Sequence, residues 1–134
     1  MCLDIDISLN RKPKTATFPI VVYKVLERYK NRYESPYRGF RYDFGVLYTS
    51  EIRKVDSYIE EGLHACITEE QAAMHMFETH SVMVFGVIPV GAQFYLGHDD
   101  EIVSNQMILF KTTAALKKYF GVQKLGTPVE RSTL

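Results

Sequence analysis

Short apolar runs separated by polar or glycine-containing turns predict a chain built mostly from β-strands. Residues 20–26 are rich in β-branched side chains and follow a proline, which is typical of a strand. Residues 40–44 alternate aromatic and charged side chains with a period of two, as a strand with one buried face does. Residues 81–90 are apolar at nearly every position and predict a central strand. Further short strands are expected at 46–48, 63–67, 93–96, 102–104 and 107–110.

Two segments carry helical patterns instead. Thr68 and Gln71 form a capping box, in which each side chain satisfies a backbone amide of the other residue. The apolar positions that follow lie on one helical face, so we expect a helix that runs to about residue 79 and packs on a sheet. Thr112 or Thr113 caps a second helix, which a glycine ends.

The length of 134 residues fits one domain with a sizeable core. Residues 1–18 predict an extended N-terminal arm, and residues 125–134 predict a loose C-terminal tail. The charged segment 51–61 predicts a loop with one short strand at 55–59. Together these elements predict an α+β fold, with a mixed, mostly antiparallel sheet of six to eight short strands and two packed helices.

The charge balance and the cysteine content limit the classes of function. Sixteen basic and sixteen acidic side chains give a formal net charge of zero, which argues against a general nucleic-acid binder. No apolar run approaches the roughly 20 residues that a membrane-spanning helix needs, and the N-terminus lacks the pattern of a secretory signal. The two cysteines lack metal-ligand spacing, so we expect free thiols, no metal site and a cytoplasmic protein.

Two groups of side chains are candidates for a binding site. Tyr37, Arg38 and Arg41 interleave aromatic and basic side chains, a pattern that can hold phosphates and stack bases. The alternative is a hairpin whose tyrosines are half-buried while its arginines stay solvated. His64 and Cys66 lie two apart on a predicted strand and therefore point to one face. A hydrogen-bonded structural histidine is the alternative for this second group.

Several segments resemble a group of small uncharacterised bacterial and phage proteins. Those proteins open with Met-Cys-Leu, as this chain does, and share an SPYxGFxYxxG segment, matched here at 35–45. A strand with Gly-x-His precedes a helix in them, as at 62–66 here, and an Ile-Pro-x-Gly strand follows, as at 88–91. The resemblance covers about residues 1–110 and implies no particular activity.

A more distant resemblance is to ADP-ribosyltransferase-like domains. Tyr23 lies on a first strand, segment 62–72 is a strand-to-helix step, and Glu101 occupies the place of the late catalytic glutamate of those domains. Lys24 stands where they have Arg or His, and their Ser-Thr-Ser motif is missing. The resemblance implies nucleotide binding, and if the chain is catalytic it implies NAD as the co-substrate.

Three hypotheses of function follow. The favoured one is a non-enzymatic, phage-related binding domain without a cofactor, whose Tyr/Arg-rich face and His64 hold a small nucleotide-like ligand or a partner protein. The second is an ADP-ribosyltransferase-like enzyme that acts on NAD with Tyr23, His64 and Glu101. The third is a structural or interaction protein without a pocket. Homo-oligomerisation stays open under all three.

Overall fold

In the computed structural model the described residues are 3–4, 12–35, 40–55, 58–76, 78–97 and 100–121. They form strands and two short helices in the following order: β1 (Leu3–Asp4), β2 (Lys14–Thr15), β3 (Ile20–Tyr29), β4 (Arg32–Glu34), β5 (Arg41–Tyr42), β6 (Leu47–Thr49), β7 (Arg53–Val55), β8 (Tyr58–Glu61), β9 (Leu63–Cys66), α1 (Glu69–Ala73), β10 (Ser81–Ile88), β11 (Gln93–Leu96), β12 (Glu101–Ser104), β13 (Gln106–Phe110) and α2 (Thr113–Phe120).

Ten of these strands form one large sheet. Its main path runs β2-β11-β12-β9-β3-β10-β13-β6, and β4 and β5 are attached to β3 outside that path. Every pairing between the described strands is antiparallel. The fold is therefore α+β with β dominance, and the expected sheet of six to eight strands was too small. Strands of two or three residues, such as β2 and β5, carry too few positions for a periodic pattern.

A second, three-stranded sheet joins β1, β8 and β7. The expectation of a loop with one strand at 55–59 is wrong, because β7 and β8 pair with each other in this charged segment. Arg53 and Glu60 form an ion pair across the two strands. Ile59 points inward and is fully buried in a small core with Tyr95 and Val103. That core joins the small sheet to the large one.

The long strands β3 and β10 form the centre of the large sheet. They pair over eight residues, from Ile20 opposite Ile88 to Glu27 opposite Ser81. Strand β10 also pairs with β13, so the prediction of a central strand at 81–90 is confirmed. The largest group of buried side chains, which includes Val22 and Leu26, packs on this part of the sheet.

The two helices differ in how closely their observed bounds agree with the predicted ones. Helix α2 begins after the N-cap Thr112 and ends at Gly121, whose φ of 67° is a left-handed value. Helix α1 begins as expected, with the Thr68 hydroxyl accepting from the Gln71 amide at 3.3 Å. It ends at Ala73, well before residue 79. Ala72 is its one buried residue, so too little apolar surface is covered to hold further turns.

No helix within the described part of the chain is both long and apolar enough to cross a membrane.

Candidate functional site

The large sheet splits along one edge of β3. On this edge Tyr23 pairs with Cys66 of β9, whereas Glu27 pairs with Glu34 of β4. The opposite edge of β3 is occupied by β10 throughout. Positions 24–26 thus lie between the two strands that share one edge, and β9 and β4 diverge there. A cleft of about 350 Å³ opens at this split.

The cleft has two kinds of lining. One wall is aromatic and is formed by Phe40, Tyr42 and Tyr48, which we call the aromatic cluster. The remainder carries titratable side chains from β3, β9, β12 and the turn after α1, namely Tyr23, Lys24, His64, Cys66, His75 and Glu101. Glu60 and Glu61 lie at the end that borders β8. A concave site with apolar walls and a few converging polar groups is the usual form of a small-molecule site.

Register explains why distant residues meet here. Cys66 of β9 is paired with Tyr23 of β3 on one side and with Glu101 of β12 on the other. Directly opposed residues of neighbouring strands point to the same face, so the three side chains form one row across the sheet. His64 lies two positions before Cys66 and shares that face. The candidates Tyr23, His64 and Glu101 consequently line the same cleft.

His75 brings a second imidazole into the site from the turn that follows α1. Its Nε2 lies 3.6 Å from Oε1 of Glu101, and both side chains are largely buried. The other imidazole, that of His64, has its Nδ1 3.1 Å from the Gly62 carbonyl oxygen. The sequence suggested no role for His75 beside Glu101, because the two are far apart in the chain and no motif joins them.

Lys24 is the most deeply buried charged residue of the site. Its side chain is 8% exposed, and its ammonium donates to the His64 carbonyl oxygen across the split. The ammonium also lies 5.3 Å from the centre of the Tyr42 ring. Burial lowers the pKa of Lys24 to about 8, and the nearby Cys66 thiol opposes that shift. Lysines are rarely buried to this degree without a charged partner.

Cys66 is not an activated thiol. Burial raises its pKa to about 11, with Glu101 adding to the increase and Lys24 opposing it. Because the thiolate is the nucleophilic form, the Cys66 side chain is unreactive near neutral pH.

The aromatic cluster holds its rings by mutual contact. The centres of the Tyr42 and Tyr48 rings are 5.0 Å apart, and those of Phe40 and Tyr42 are 4.9 Å apart. The Tyr48 hydroxyl accepts from the Asp43 amide at 2.6 Å, which fixes the Tyr48 ring. Tyr42 is buried, whereas Phe40 is 50% exposed. The cluster therefore presents one rigidly backed aromatic surface to the cleft.

The other predicted ligand-binding residues do not join this group. Arg41 is exposed on β5 and is not part of the cleft lining. Tyr37 and Arg38 lie outside the described residues. Among the residues described, no three His, Cys, Asp or Glu side chains are grouped so as to hold a metal ion.

No protein-family model, curated protein or solved structure matches this chain. Its function is consequently inferred from the geometry of the cleft.

Proposed function

We propose that this protein is a small-molecule-binding domain whose cleft holds a nucleotide-like ligand. The observation that carries the proposal is the pairing, in one cleft, of an aromatic wall with buried polar groups. A planar heterocycle would stack on the aromatic cluster, and its polar substituents would reach Lys24, His64 and Glu101.

The energetics of the aromatic cluster favour a planar ligand. Stacking of a base on an aromatic side chain contributes about 1–3 kcal/mol and accepts any base, because every base has a π-face. Phe40 is half exposed, so its ring is available without rearrangement of the core. The backing rings Tyr42 and Tyr48 restrict its motion, which reduces the entropy lost on binding.

The polar side of the cleft supplies both donors and acceptors. Burial raises the pKa of Tyr42 to about 12, so its hydroxyl remains a proton donor at neutral pH. Glu101 supplies carboxylate oxygens, which can accept from an exocyclic amine. The formal net charge of zero leaves recognition to these local groups rather than to the overall field of the protein.

The test is calorimetric titration with adenosine, adenosine 5′-monophosphate, nicotinamide and NAD. Phe40→Ala is expected to weaken binding of any ligand found by roughly 5- to 150-fold, the equivalent of about 1–3 kcal/mol. Leu47→Ala is the matched control, since Leu47 is also apolar and 49% exposed but lies outside the cleft lining. Absence of binding across the panel, or equal affinities of the Phe40→Ala and Leu47→Ala variants, contradicts the proposal.

An ADP-ribosyltransferase-like activity is the second candidate. The observation in its favour is that Tyr23, His64 and Glu101 line one cleft. A carboxylate there would stabilise the positive charge that develops on the ribose as nicotinamide leaves. Released nicotinamide is measured with NAD as the sole substrate, and Glu101→Gln is expected to abolish its release. An unchanged rate in that variant, or no release by the unmodified protein, contradicts the candidate.

A structural protein without a pocket is the third reading, and the cleft disfavours it. If the cleft binds a protein partner instead, no compound of the panel binds to the folded protein.

A further inference from the structure

Lys24 lies in the cleft and makes one hydrogen bond to the residues that the structure describes. A lysine ammonium carries three N–H donors. One donates to the His64 carbonyl oxygen. Among the described residues no carboxylate lies within ion-pair distance of this ammonium, and no second hydrogen-bond acceptor contacts it. A side chain that is only 8% exposed cannot satisfy its other donors freely with bulk water.

The carboxylates that line the cleft act on other groups. Glu60 forms its ion pair with Arg53, and Glu101 faces His75. Burial lowers the pKa of Lys24, and a negative charge on Cys66 would oppose that shift. Within the described part of the chain, a cation is therefore buried at the cleft wall with no carboxylate beside it.

We propose that Lys24 is the anion-binding subsite of the cleft, so that the natural ligand carries a carboxylate or a phosphate beside its planar ring. This inference rests on the proposed function in that it takes the cleft to be a ligand site. The anionic group accepts hydrogen bonds from the N–H donors that the described residues leave open. Its charge offsets the cost of burying the ammonium, which is large for an isolated charge.

The position of Lys24 also sets the distance between the anionic group and the planar ring of the ligand. The ammonium lies 5.3 Å from the centre of the Tyr42 ring, which belongs to the aromatic cluster. A short chemical linker therefore suffices to join an anion bound at Lys24 to a ring stacked on Phe40. Nucleoside monophosphates and aromatic carboxylates have this combination of a ring and a nearby anion.

The first test measures the titration of Lys24 in the unmodified protein. The ¹³Cε resonance of Lys24 is followed against pH in sodium chloride, sodium formate and sodium phosphate at equal ionic strength. An anion that binds the ammonium favours the charged form and raises the pKa of Lys24. The rise is about one unit when the free anion is at about ten times its Kd. Formate stands for a ligand carboxylate and phosphate for a ligand phosphate, so the two arms identify the source.

Because the resonance of Lys24 itself is followed, its titration is distinguished from that of other groups near it. Cys66 and His64 of β9 and Tyr42 of β5 lie near it. Glu60 and Glu61 of β8, together with Tyr48, His75 and Glu101, line the rest of the cleft. Exposed Lys117 of α2 lies outside the cleft lining and is the internal reference for general effects of the three salts on lysine resonances. An unchanged pKa of Lys24 in both formate and phosphate overturns the proposal.

The second test compares ligand pairs that differ in charge. Nicotinate is compared with nicotinamide, and adenosine 5′-monophosphate with adenosine, on the unmodified protein and on Lys24→Met. We expect the substitution to weaken binding of the anionic member at least tenfold and to leave the neutral member unchanged. Equal losses for both members contradict an anion subsite. A rise in the Lys24 pKa with formate or phosphate, together with no binding of any ring compound, would support the subsite while contradicting the proposed function.

Discussion

At the scale of single residues, the cleft combines groups whose ionisation is shifted in opposite directions by the same burial. Removal from water disfavours the charged form of each group, so the pKa of Lys24 falls and that of Cys66 rises. The amine is thus closer to its neutral form at physiological pH than an ordinary lysine, and the thiol is further from its reactive form. Any covalent chemistry in the cleft would consequently not begin at Cys66.

The reactivity of Cys66 follows directly. Its pKa of about 11 leaves roughly one thiol in a thousand ionised at pH 8. Alkylation of Cys66 by iodoacetamide, measured by mass spectrometry on the peptide that contains it, is expected to be at least tenfold slower in the folded protein than in urea. Glu101→Gln is expected to raise the folded rate, since Glu101 contributes to the raised pKa. Equal rates in the folded and unfolded chain would show that the thiol is not protected.

The stability of the protein against pH reports on Lys24. The pKa of this amine is lowered from 10.5 to about 8 on folding, so the unfolded chain binds more protons between those values. Stability therefore rises with pH from about 8 upward as the buried ammonium loses its proton, and the cost of burying it is fully present below about 8. Above pH 9 the Cys66 thiol opposes this trend, because it ionises in the unfolded chain before it does in the folded one.

Urea unfolding at pH 7.5 and pH 9 measures the contribution of Lys24. Over this interval its titration is expected to add about 1 kcal/mol to the stability of the unmodified protein. Lys24→Met lacks this increase, so the difference between the two proteins isolates it from all other titrating groups. Parallel pH dependence of the two proteins would mean that Lys24 titrates normally in the folded state.

At the scale of elements, the cleft depends on the course of β9. This strand pairs with β12 along all of its residues but with β3 only at Cys66. Gly62 directly precedes β9 and has a φ of 148°, a backbone conformation that residues with a Cβ rarely adopt. A Cβ at this position would lie 2.4 Å from Cγ2 of Val103 on β12. Glycine is thus required both by the backbone conformation and by the close approach of the two strands.

Gly62→Ala is therefore expected to destabilise the protein by about 2–4 kcal/mol, the sum of backbone strain and overpacking. Gly91→Ala is the control, because Gly91 has a φ of 90° but open space around the added Cβ. The free energy of unfolding of this control variant is expected to fall by only about 1 kcal/mol. Chemical denaturation of the two variants decides between these values, and equal losses would show that the contact with Val103 is relieved at little cost.

Element prediction succeeded where local physics decides the outcome. The β-branched run that begins β3, the apolar run of β10 and the Thr68 and Thr112 caps were readable because each depends on neighbouring residues in the chain. The β7–β8 hairpin was missed because pairing between charged strands depends on cross-strand partners such as Arg53 and Glu60. The early end of α1 depends on how little of the helix the sheet covers, which no local pattern contains.

At the scale of the whole molecule, the candidate site is a product of long-range register. Tyr23, His64 and Glu101 were selected by resemblance to other domains, and their meeting in one cleft reflects the order β12-β9-β3 in the sheet. Lys24 and His75 were not proposed as site residues, although the structure places both in the cleft. The lone lysine within a β-branched strand is the feature of the sequence that could have drawn attention to Lys24. Whether it faces a cleft or a core is decided by the split between β9 and β4.

The measurement that tests the central claim most directly is an amide ¹H–¹⁵N titration of the protein with adenosine 5′-monophosphate. A ligand held in the cleft is expected to shift the resonances of Tyr23–Val25, Leu63–Cys66 and the aromatic cluster, while those of α2, which contributes no residue to the cleft lining, remain unchanged. Saturation of these shifts with one affinity would support a nucleotide-like ligand bound at the split of β3. No shifts at millimolar concentration, or shifts centred on α2 or β2, would contradict it.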